Sequence, residues 1–149
     1  MSKVLYLNKP VQLDIGNQVD CFQFIKTTVL DDTLKSDSVR ESFKVTKNDN
    51  IKKSIDKLMR LLGPTSSICC YAYGSHLQKL LTVIEIYKQK SDKSIVQFNK
   101  LQSFTVIKEK HGNELLDQKL IVPIMIIVLS SEGSNNFLES LENEGFTKQ

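Results

Sequence analysis

The stretch SFKVTKNDNIKKSIDKLMRLLGPTSSICCYAYGSHLQKLLTVIEIYK, residues 42–88, decides the fold. At its start, residues 42–46 alternate apolar and polar side chains, which is the period of a half-buried strand. Residues 67–73 form a short, almost wholly apolar and uncharged run, which is typical of a central strand covered on at least one face. We therefore predict two strands of one sheet in this stretch.

A first helix is predicted between these strands, because apolar residues recur there at helical spacing. The residues that mark it are Ile51, Ile55, Leu58 and Leu62. Asn48 or Asp49 can cap its start, and Gly63 followed by Pro64 ends it, since proline cannot continue a helix.

A second helix is predicted after the second strand, up to about Lys88. Its apolar residues at helical spacing are Leu77, Leu80, Leu81, Ile84 and Tyr87. Val83, Ile86 and Tyr87 lie beyond the apolar strip of the helix that is needed for packing on one sheet. We therefore expect a second apolar surface that binds another subunit, unless the N-terminal segment covers it.

Two further strands are predicted at residues 104–108 and 120–129, joined by a polar segment around residues 111–113. Pro123 cannot donate a hydrogen bond to a neighbouring strand, so we expect an interruption or bulge there. The order strand, helix, strand, helix, strand, strand predicts an α/β fold. It is a two-layer sandwich with a small mixed sheet and both helices on one face.

The chain is expected to contain one domain, because 149 residues can bury roughly 70% of the unfolded surface in a single core. We assign residues 42–130 to this domain and residues 1–41 to an N-terminal extension that packs on it. Within the extension, residues 19–29 show helical spacing. Residues 131–149 are predicted to be an acidic C-terminal tail, partly extended or disordered, which Phe146 could anchor.

Composition favours an intracellular globular protein without a metal or cofactor. The 40% hydrophobic and 25% charged contents are ordinary, and no apolar run approaches the ~18 residues of a membrane span. Residues 1–14 lack the apolar run and small-residue cleavage site of a secretion signal. Cys21, Cys69 and Cys70 fit neither a disulfide framework nor metal-ligand spacing, so we predict that they are core residues in a reducing compartment.

Charge is unevenly distributed along the chain. Residues 44–60 carry six basic and two acidic residues, and residues 76–110 carry seven basic and three acidic residues. Residues 61–75 between them are uncharged, whereas residues 111–149 carry two basic and six acidic residues. A basic centre of this kind is typical of a protein that binds a polyanion, although a solvated lysine-rich surface has the same composition.

The start of the first helix is a candidate phosphate site. Lys47 and Asn48 precede the helix, and Lys52 and Lys53 lie in its first turn, where the helix dipole disfavours positive charge. An anion would relieve this repulsion, because free backbone N–H groups and ammonium groups there can bind phosphate. The alternative is that the lysines are solvated, with Asp49 and Asp56 neutralising part of their charge.

The start of the second helix repeats this arrangement. Gly74 permits close approach of the backbone, and Ser75 can cap the helix or donate to a phosphate. His76, Gln78 and Lys79 can hydrogen-bond a phosphate or a base edge. The alternatives are that Ser75 is only a helix cap and that His76 is a packed or surface residue.

The tip of the final hairpin is a third candidate. Lys108, Lys110 and His111 would form a basic finger there, with Lys100 on its approach. Lysines at hairpin tips can also serve solubility alone.

Catalytic interpretations find little support. The Gly74–His76 segment lacks the second glycine of a serine-hydrolase elbow. Cys70 with His76 would be a nucleophile and base in composition only, because a cysteine buried in a strand lacks the electropositive setting that lowers a thiol pKa. We expect no catalytic and no metal-binding residues.

Several segments in the same order resemble the Alba-superfamily subunits of nuclear ribonuclease P and ribonuclease MRP. They are TKNDNIKKSIDKL, YGSHLQKLLTVIEIYK, FNKLQSF, GNEL, the VPI of the last strand and the closing FTKQ. The similarity covers roughly residues 42–129 and the last four residues. The chain differs from archaeal Alba proteins in having YGSH at the turn before the second helix and fewer arginines.

The resemblance implies an Alba-like fold and a heterodimer with a second Alba-like subunit, in contact with a large protein subunit of the same ribonucleoprotein. It implies binding to the P-three stem-loop of the catalytic RNA and, in yeasts, to a similar stem of telomerase RNA. A nuclear, nucleolar location and a part in tRNA 5′ processing and rRNA processing are also implied. By position, the family's nucleic-acid contacts correspond to Lys47, to Gly74 with its neighbours, and to Lys108 and Lys110.

Our leading hypothesis is thus a non-catalytic RNA-binding subunit of a ribonucleoprotein ribonuclease. The alternative is a protein-interaction adaptor whose basic face meets an acidic partner. A third and weaker hypothesis is a small enzyme built on Cys70 and His76.

Overall fold

The computed structural model describes residues 2–34, 41–62, 67–91, 94–108, 118–131 and 135–149. These residues form seven strands and five α-helices, with a π-helical segment at Ile25–Val29 and a 3-10 turn at Gly74–His76. The strands are β1 (Ser2–Tyr6), β2 (Lys9–Val11), β3 (Ser42–Lys44), β4 (Ser67–Tyr73), β5 (Val96–Lys108), β6 (Gln118–Ser130) and β7 (Thr147–Lys148). The α-helices are α1 (Gln18–Phe24), α2 (Leu30–Thr33), α3 (Ile51–Leu62), α4 (Leu77–Lys90) and α5 (Asn135–Asn143).

The strands form one mixed sheet in the order β2-β1-β5-β6-β4-β3, with β7 paired to β5. Strands β3 and β4 are parallel, and the other pairs are antiparallel. The predicted order of strands and helices from β3 to β6 is confirmed. Strand β5 begins at Val96, eight residues before the predicted start, and pairs with β6 along its whole length.

Helices α3 and α4 pack together on one face of the sheet, as predicted. Their apolar stripes meet residues of β3, β4 and β6 in a core that includes Leu58, Leu80 and Ile127, all fully buried. Burying one such side chain is worth about 2 kcal/mol, so this stripe accounts for much of the stability of the two helices.

The N-terminal extension and the C-terminal residues cover the opposite face of the sheet. Cys21, Phe22, Ile25 and Val29 supply the apolar stripe of the segment from α1 to α2, and all four are buried. The extension therefore adds a third layer to the predicted two-layer sandwich. Strand β4 lies between both layers, which explains why all seven of its residues are buried and apolar or small.

The three cysteines are buried, as predicted, and their thiols are free. Cys69 faces the layer of the N-terminal extension and Cys70 faces α3 and α4, because side chains alternate along a strand. Burial raises the pKa of both thiols well above the ordinary range. Within the described residues, no group of three or more His, Cys, Asp or Glu side chains is arranged to hold a metal ion. The helices described here lack the length and apolar content needed to cross a membrane.

The predicted N-terminal cap of α3 is wrong. Asn50, rather than Asn48 or Asp49, caps α3, since its Oδ1 accepts a hydrogen bond from the Lys53 backbone N–H at 3.0 Å. The Asp49 carboxylate instead accepts from the backbone N–H and hydroxyl of Thr46, at 2.9 and 2.7 Å. Gly63 and Pro64, the predicted end of this helix, lie outside the described residues.

Pro123 does not interrupt β6. The register between β5 and β6 is continuous from Lys108 opposite Gln118 to Val96 opposite Ser130. The pairing of β6 with β4 begins at Ile124, immediately after the proline. Pro123 therefore lies where β6 has a single neighbouring strand, and such a position tolerates a missing donor.

Residues 135–149 differ from the expected extended or disordered tail, because they form α5 and β7, whereas the expected anchoring by Phe146 is confirmed. Leu141 and Phe146 are buried in the core on the N-terminal side of the sheet. The Lys100 Nζ donates to the Glu144 carbonyl at 2.6 Å, and the Gln149 backbone N–H donates to the Gln97 carbonyl at 2.9 Å. Apolar burial and these hydrogen bonds outweigh the acidic composition.

The expected second apolar surface on α4 is not present. Val83 is fully buried, Tyr87 is 3% exposed, and Ile86 packs partly against the same core. Helix α4 uses all three residues in the core that it shares with α3 and the sheet. The N-terminal segment does not cover them either, since it lies on the opposite face.

Candidate nucleic-acid interface

Sheet topology brings the three candidate segments to one end of the sheet. Because β3 and β4 are parallel, the loops that lead from them into α3 and α4 leave at the same edge. Strand β6 begins to pair with β4 at this edge, where Ile124 lies opposite Tyr73. The hairpin of β5 and β6 projects beyond it. We call this end the loop edge and define it by residues 45–53, 74–79, 104–108 and 118–122.

The start of α3 contributes exposed positive charge to the loop edge. Lys47 and Asn48 are exposed in the loop, and Lys52 and Lys53 are exposed in the first helical turn. The first turn of α3 contains no acidic residue. The positive end of the helix dipole and these ammonium groups thus create a site that favours an anion.

Close backbone approach shapes the start of α4. Gly74 has a φ of +54°, in the left-handed region, and a Cβ added there would lie 3.3 Å from Val122 Cγ1. The turn therefore needs glycine to lie against the base of the hairpin. His76, rather than Ser75, occupies the N-cap position of α4, and within the described residues its side chain makes no capping hydrogen bond. Ser75 and Gln78 are exposed beside it.

Two hydrogen bonds join the starts of α3 and α4. The backbone N–H of Lys47 donates to His76 Nδ1 at 2.9 Å, and Lys79 Nζ donates to the Asp49 carbonyl at 3.1 Å. Each bond connects residues about thirty positions apart in the sequence. The two helix starts therefore form one surface with a fixed relative position.

His76 is a packed residue in the structure. Its side chain is 4% exposed and packs against the rings of Phe22 and Tyr73, with both centroid distances at 5.1 Å. Burial lowers the pKa of His76, the positive charge of Lys47 lowers it further, and the Asp49 carboxylate opposes them. A neutral imidazole is required here, since Nδ1 accepts a hydrogen bond.

The hairpin contributes Lys108, which is exposed at the end of β5 opposite Ser2 of β1. Lys110 and His111 lie outside the described residues. Lys100 belongs to a different region, because its ammonium group binds the C-terminal segment. The structure thus brings nine of the eleven predicted residues to the surface of the loop edge, buries His76 beneath it, and leaves Lys110 undescribed.

Two lysines beside the loop edge were missed by the sequence analysis. Lys44 Nζ lies 5.7 Å from the centroid of the Phe22 ring, and Lys57 Nζ lies 5.0 Å from that of Phe43. Both residues are exposed. The alternation of β3 and the spacing of Lys53 and Lys57 by one helical turn were signals that could have identified them.

A separate apolar surface lies on the α4 side of the sheet, along β5 and β6. Leu101 and Ile121 are 63% and 65% exposed, and Ile107, Pro123 and Met125 are half-buried. Because side chains alternate along a strand, these five lie on the other face of the sheet from Phe104 and Ile124, which face the N-terminal layer. We call these five residues the open sheet face, because no described helix covers Leu101 or Ile121.

Comparison with known proteins identifies the family. The Alba family model matches residues 41–105. The ribonucleases P/MRP protein subunit POP6 of Saccharomyces cerevisiae is 37% identical over 150 residues, which cover 92% of this chain and 92% of that protein. The chain belongs to the POP6 family of Alba-superfamily proteins. Alba from Thermoplasma volcanium aligns with 60% of this chain and 99% of its own chain at a TM-score of 0.43 and 19% sequence identity.

Membership of the POP6 family confirms the predicted family and fold class. The Alba match extends from the residue before β3 into the second half of β5. It therefore includes the starts of α3 and α4 and both hydrogen bonds between them. The N-terminal layer and the whole of β6 lie outside the Alba match but are part of this POP6-family chain.

Proposed function

We propose that this chain is a non-catalytic, RNA-binding protein subunit of a ribonuclease P/MRP ribonucleoprotein, and that the loop edge binds the RNA. The observation that supports this most strongly is the fixed pairing of the α3 and α4 starts, which presents exposed lysines on one surface. The likeness to POP6 along nearly the whole chain supports the assignment to this kind of particle.

The chemistry of the loop edge suits a phosphate backbone. Lys47, Lys52 and Lys53 offer charge, and the helix start behind them adds positive potential. Structured RNA is bound mainly through its shape and its phosphates, so a rigid charged surface suffices without a base-specific pocket. The proposed contacts are Lys47, Asn48, Lys52, Lys53, Gly74, Ser75, Gln78, Lys79, Lys108 and Lys110.

The burial of Cys70, the candidate nucleophile, argues against a catalytic role for the chain itself. The Cys70 thiol is fully buried, and burial keeps its pKa well above the ordinary range. Such a thiol is not ionised at neutral pH and is not accessible to a substrate. In this proposal, cleavage is performed by the RNA of the particle.

More specifically, we propose that the chain binds the P-three stem-loop of the particle RNA and a similar stem of telomerase RNA. It would thereby support tRNA 5′ processing and rRNA processing in the nucleus and nucleolus. In this proposal the chain holds one stem and its loop for assembly with a large protein subunit.

A second Alba-like subunit is proposed to bind the open sheet face. Leu101 and Ile121 expose large apolar side chains on the same face of neighbouring strands, with Met125 opposite Leu101, at a site where β5 and β6 are paired continuously. A rigid apolar surface of this kind is typical of the centre of a protein interface. The loop edges of the two subunits would then form one extended RNA-binding surface.

The proposal is tested by measuring the affinity of the chain for a P-three-type stem-loop and for an unstructured RNA of equal length. Both measurements are made with and without a co-expressed Alba-like partner, over a series of salt concentrations. We expect preference for the stem-loop and a log-log salt slope of several units, because phosphate contacts release counterions. Affinity that does not change with salt would reject the electrostatic mechanism. Binding of an acidic polypeptide in preference to RNA would favour the adaptor alternative.

A further inference from the structure

His76 lies where three parts of the molecule meet. Its ring contacts Phe22 of α1 and Tyr73 of β4, and its Nδ1 accepts the hydrogen bond from Lys47 in the loop before α3. The residue itself occupies the N-cap of α4. One side chain therefore connects the N-terminal layer, the sheet and both halves of the loop edge.

Phe22 links the N-terminal layer to the aromatic residues of β4. Its ring lies 5.0 Å from that of Tyr73 and 6.2 Å from that of Tyr71, at inclined angles typical of aromatic pairs. Lys44 Nζ lies 5.7 Å from the same ring. Phe22 is 2% exposed, so its position is fixed by packing. The aromatic contacts hold the His76 ring in the orientation that points Nδ1 at Lys47.

We propose that His76 is a positioning residue of the loop edge, through which the N-terminal layer fixes the backbone of Lys47 for RNA binding. This inference rests on the proposed function and adds its regulation by pH. The Lys47 N–H can be held only by the neutral ring, because protonation of Nδ1 turns the acceptor into a donor. RNA binding should therefore weaken as the imidazole takes up a proton.

The surroundings of His76 define the direction of the pH effect. The charged groups that face it are Lys47 and Asp49 of the loop. On β4 the Tyr73 ring packs against it, while the Tyr73 hydroxyl is hydrogen-bonded with the Cys21 side chain of α1. Protonation brings a positive charge toward Lys47 and removes its hydrogen bond. A histidine that bound phosphate directly would act in the opposite way, since protonation would strengthen its attraction to RNA. The sign of the pH effect thus separates positioning from contact.

Two matched variants separate the acceptor from the ring. His76→Asn places an amide oxygen near the position of Nδ1 and does not titrate, while His76→Phe keeps the aromatic contacts and removes the acceptor. We expect His76→Phe to bind a P-three-type stem-loop roughly fivefold more weakly than the wild type at pH 7.5, and His76→Asn, which keeps an acceptor, to bind more tightly than His76→Phe. Thermal melting of each variant checks that the fold is retained.

The change in RNA affinity at acidic pH provides the second test. Between pH 7.5 and pH 5.5, binding by the wild type should weaken relative to His76→Asn at constant ionic strength. Stronger wild-type binding at low pH than that of His76→Asn would overturn the proposal in favour of direct contact. Equal affinity of His76→Phe and the wild type at pH 7.5 would overturn it as well.

Hydrogen exchange of the Lys47 amide provides a readout that does not need RNA. We expect protection in the wild type and in His76→Asn, and faster exchange in His76→Phe. Unchanged exchange in His76→Phe would overturn the positioning role even if RNA binding is observed. Conversely, a wild-type protein that binds no stem-loop would overturn the proposed function, and faster exchange in His76→Phe would then still support the role of His76 in fixing the loop.

Discussion

The starts of α3 and α4 lie side by side at the loop edge, yet they are built in opposite ways. The start of α3 is exposed, charged and closed by a local cap from Asn50. The start of α4 is a tight turn with a left-handed Gly74 and a buried His76 that bonds a distant loop. The first supplies charge and the second supplies shape. Changes at α3 should therefore affect RNA affinity first, whereas changes at α4 should affect the stability and geometry of the domain.

The largest effect is expected from Lys47, Lys52 and Lys53 changed together to alanine. At about 1 kcal/mol for each lost contact with phosphate, affinity for the stem-loop should fall roughly a hundredfold. The log-log salt slope should fall by about three units, because each lysine neutralises one phosphate. Filter binding at several salt concentrations measures both quantities.

A matched control changes Lys26, Lys90 and Lys148, which lie away from the loop edge, to alanine. The control has the same net charge as the first variant, so it should lose only the small nonspecific part of the affinity. An equal loss in both variants would show that overall charge, and not the start of α3, determines binding.

The next effect concerns stability and arises at the start of α4. Gly74→Val places a β-branched residue at a φ of +54° with its Cβ 3.3 Å from Val122 Cγ1. We expect the free energy of unfolding to fall by about 2 kcal/mol, measured from the urea midpoint. Gly74→Asn should cost less, since asparagine tolerates the left-handed region. Equal losses in both variants would place the cost in the contact with Val122 rather than in the backbone.

Removal of the α3 cap should have a smaller effect on stability. Asn50→Ala removes the acceptor of the Lys53 N–H and should lower the free energy of unfolding by about 1 kcal/mol. Asn48→Ala is the control, because Asn48 is exposed and should contribute less than about 0.5 kcal/mol. A greater cost at Asn48 would contradict the observed cap.

The smallest effect is expected from pH. The pKa of His76 is lower in the folded chain than its ordinary value of 6.5, so the unfolded chain binds the proton more readily. The contribution of His76 to stability is therefore complete above pH 6.5 and is lost as the pH falls through the lowered pKa. Urea unfolding from pH 7.5 to pH 5 should show a decline that is weaker in His76→Asn. Identical pH profiles would show that His76 titrates alike in both states.

Local patterns were sufficient to locate β3, α3, β4 and α4. The periodicities of α3 and α4 and the apolar run of β4 depend on neighbouring residues, and each was located to within a few residues. The charge pattern likewise identified the exposed lysines at the start of α3. These features could be predicted because each is determined within a few turns of the chain.

The hairpin of β1 and β2 could not be predicted in this way. Its turn residues Leu7 and Asn8 have φ values of 52° and 63°, in a region where leucine is rare. The usual glycine signal of such a turn is missing, and pairing of β1 with β5 over a distant part of the chain determines the structure. Tertiary contacts similarly formed α5 and β7 from an acidic segment.

The packing and the hydrogen bond of His76 could not be predicted from the sequence either. The sequence placed it at a helix start, where either exposure or packing was possible. Its burial depends on Phe22, and its hydrogen bond depends on a loop about thirty residues earlier. Such long-range contacts leave no periodic signal.

The neighbouring cysteines of β4 offer a way to observe the two layers separately. Cys69 and Cys70 are adjacent in sequence but lie beneath different helices, so a thiol reagent can reach each one only when its own covering opens. Rates of alkylation at the two positions, resolved by peptide mass, would report which layer detaches first from the sheet. The two cysteines can therefore report the order in which the two layers separate from the sheet.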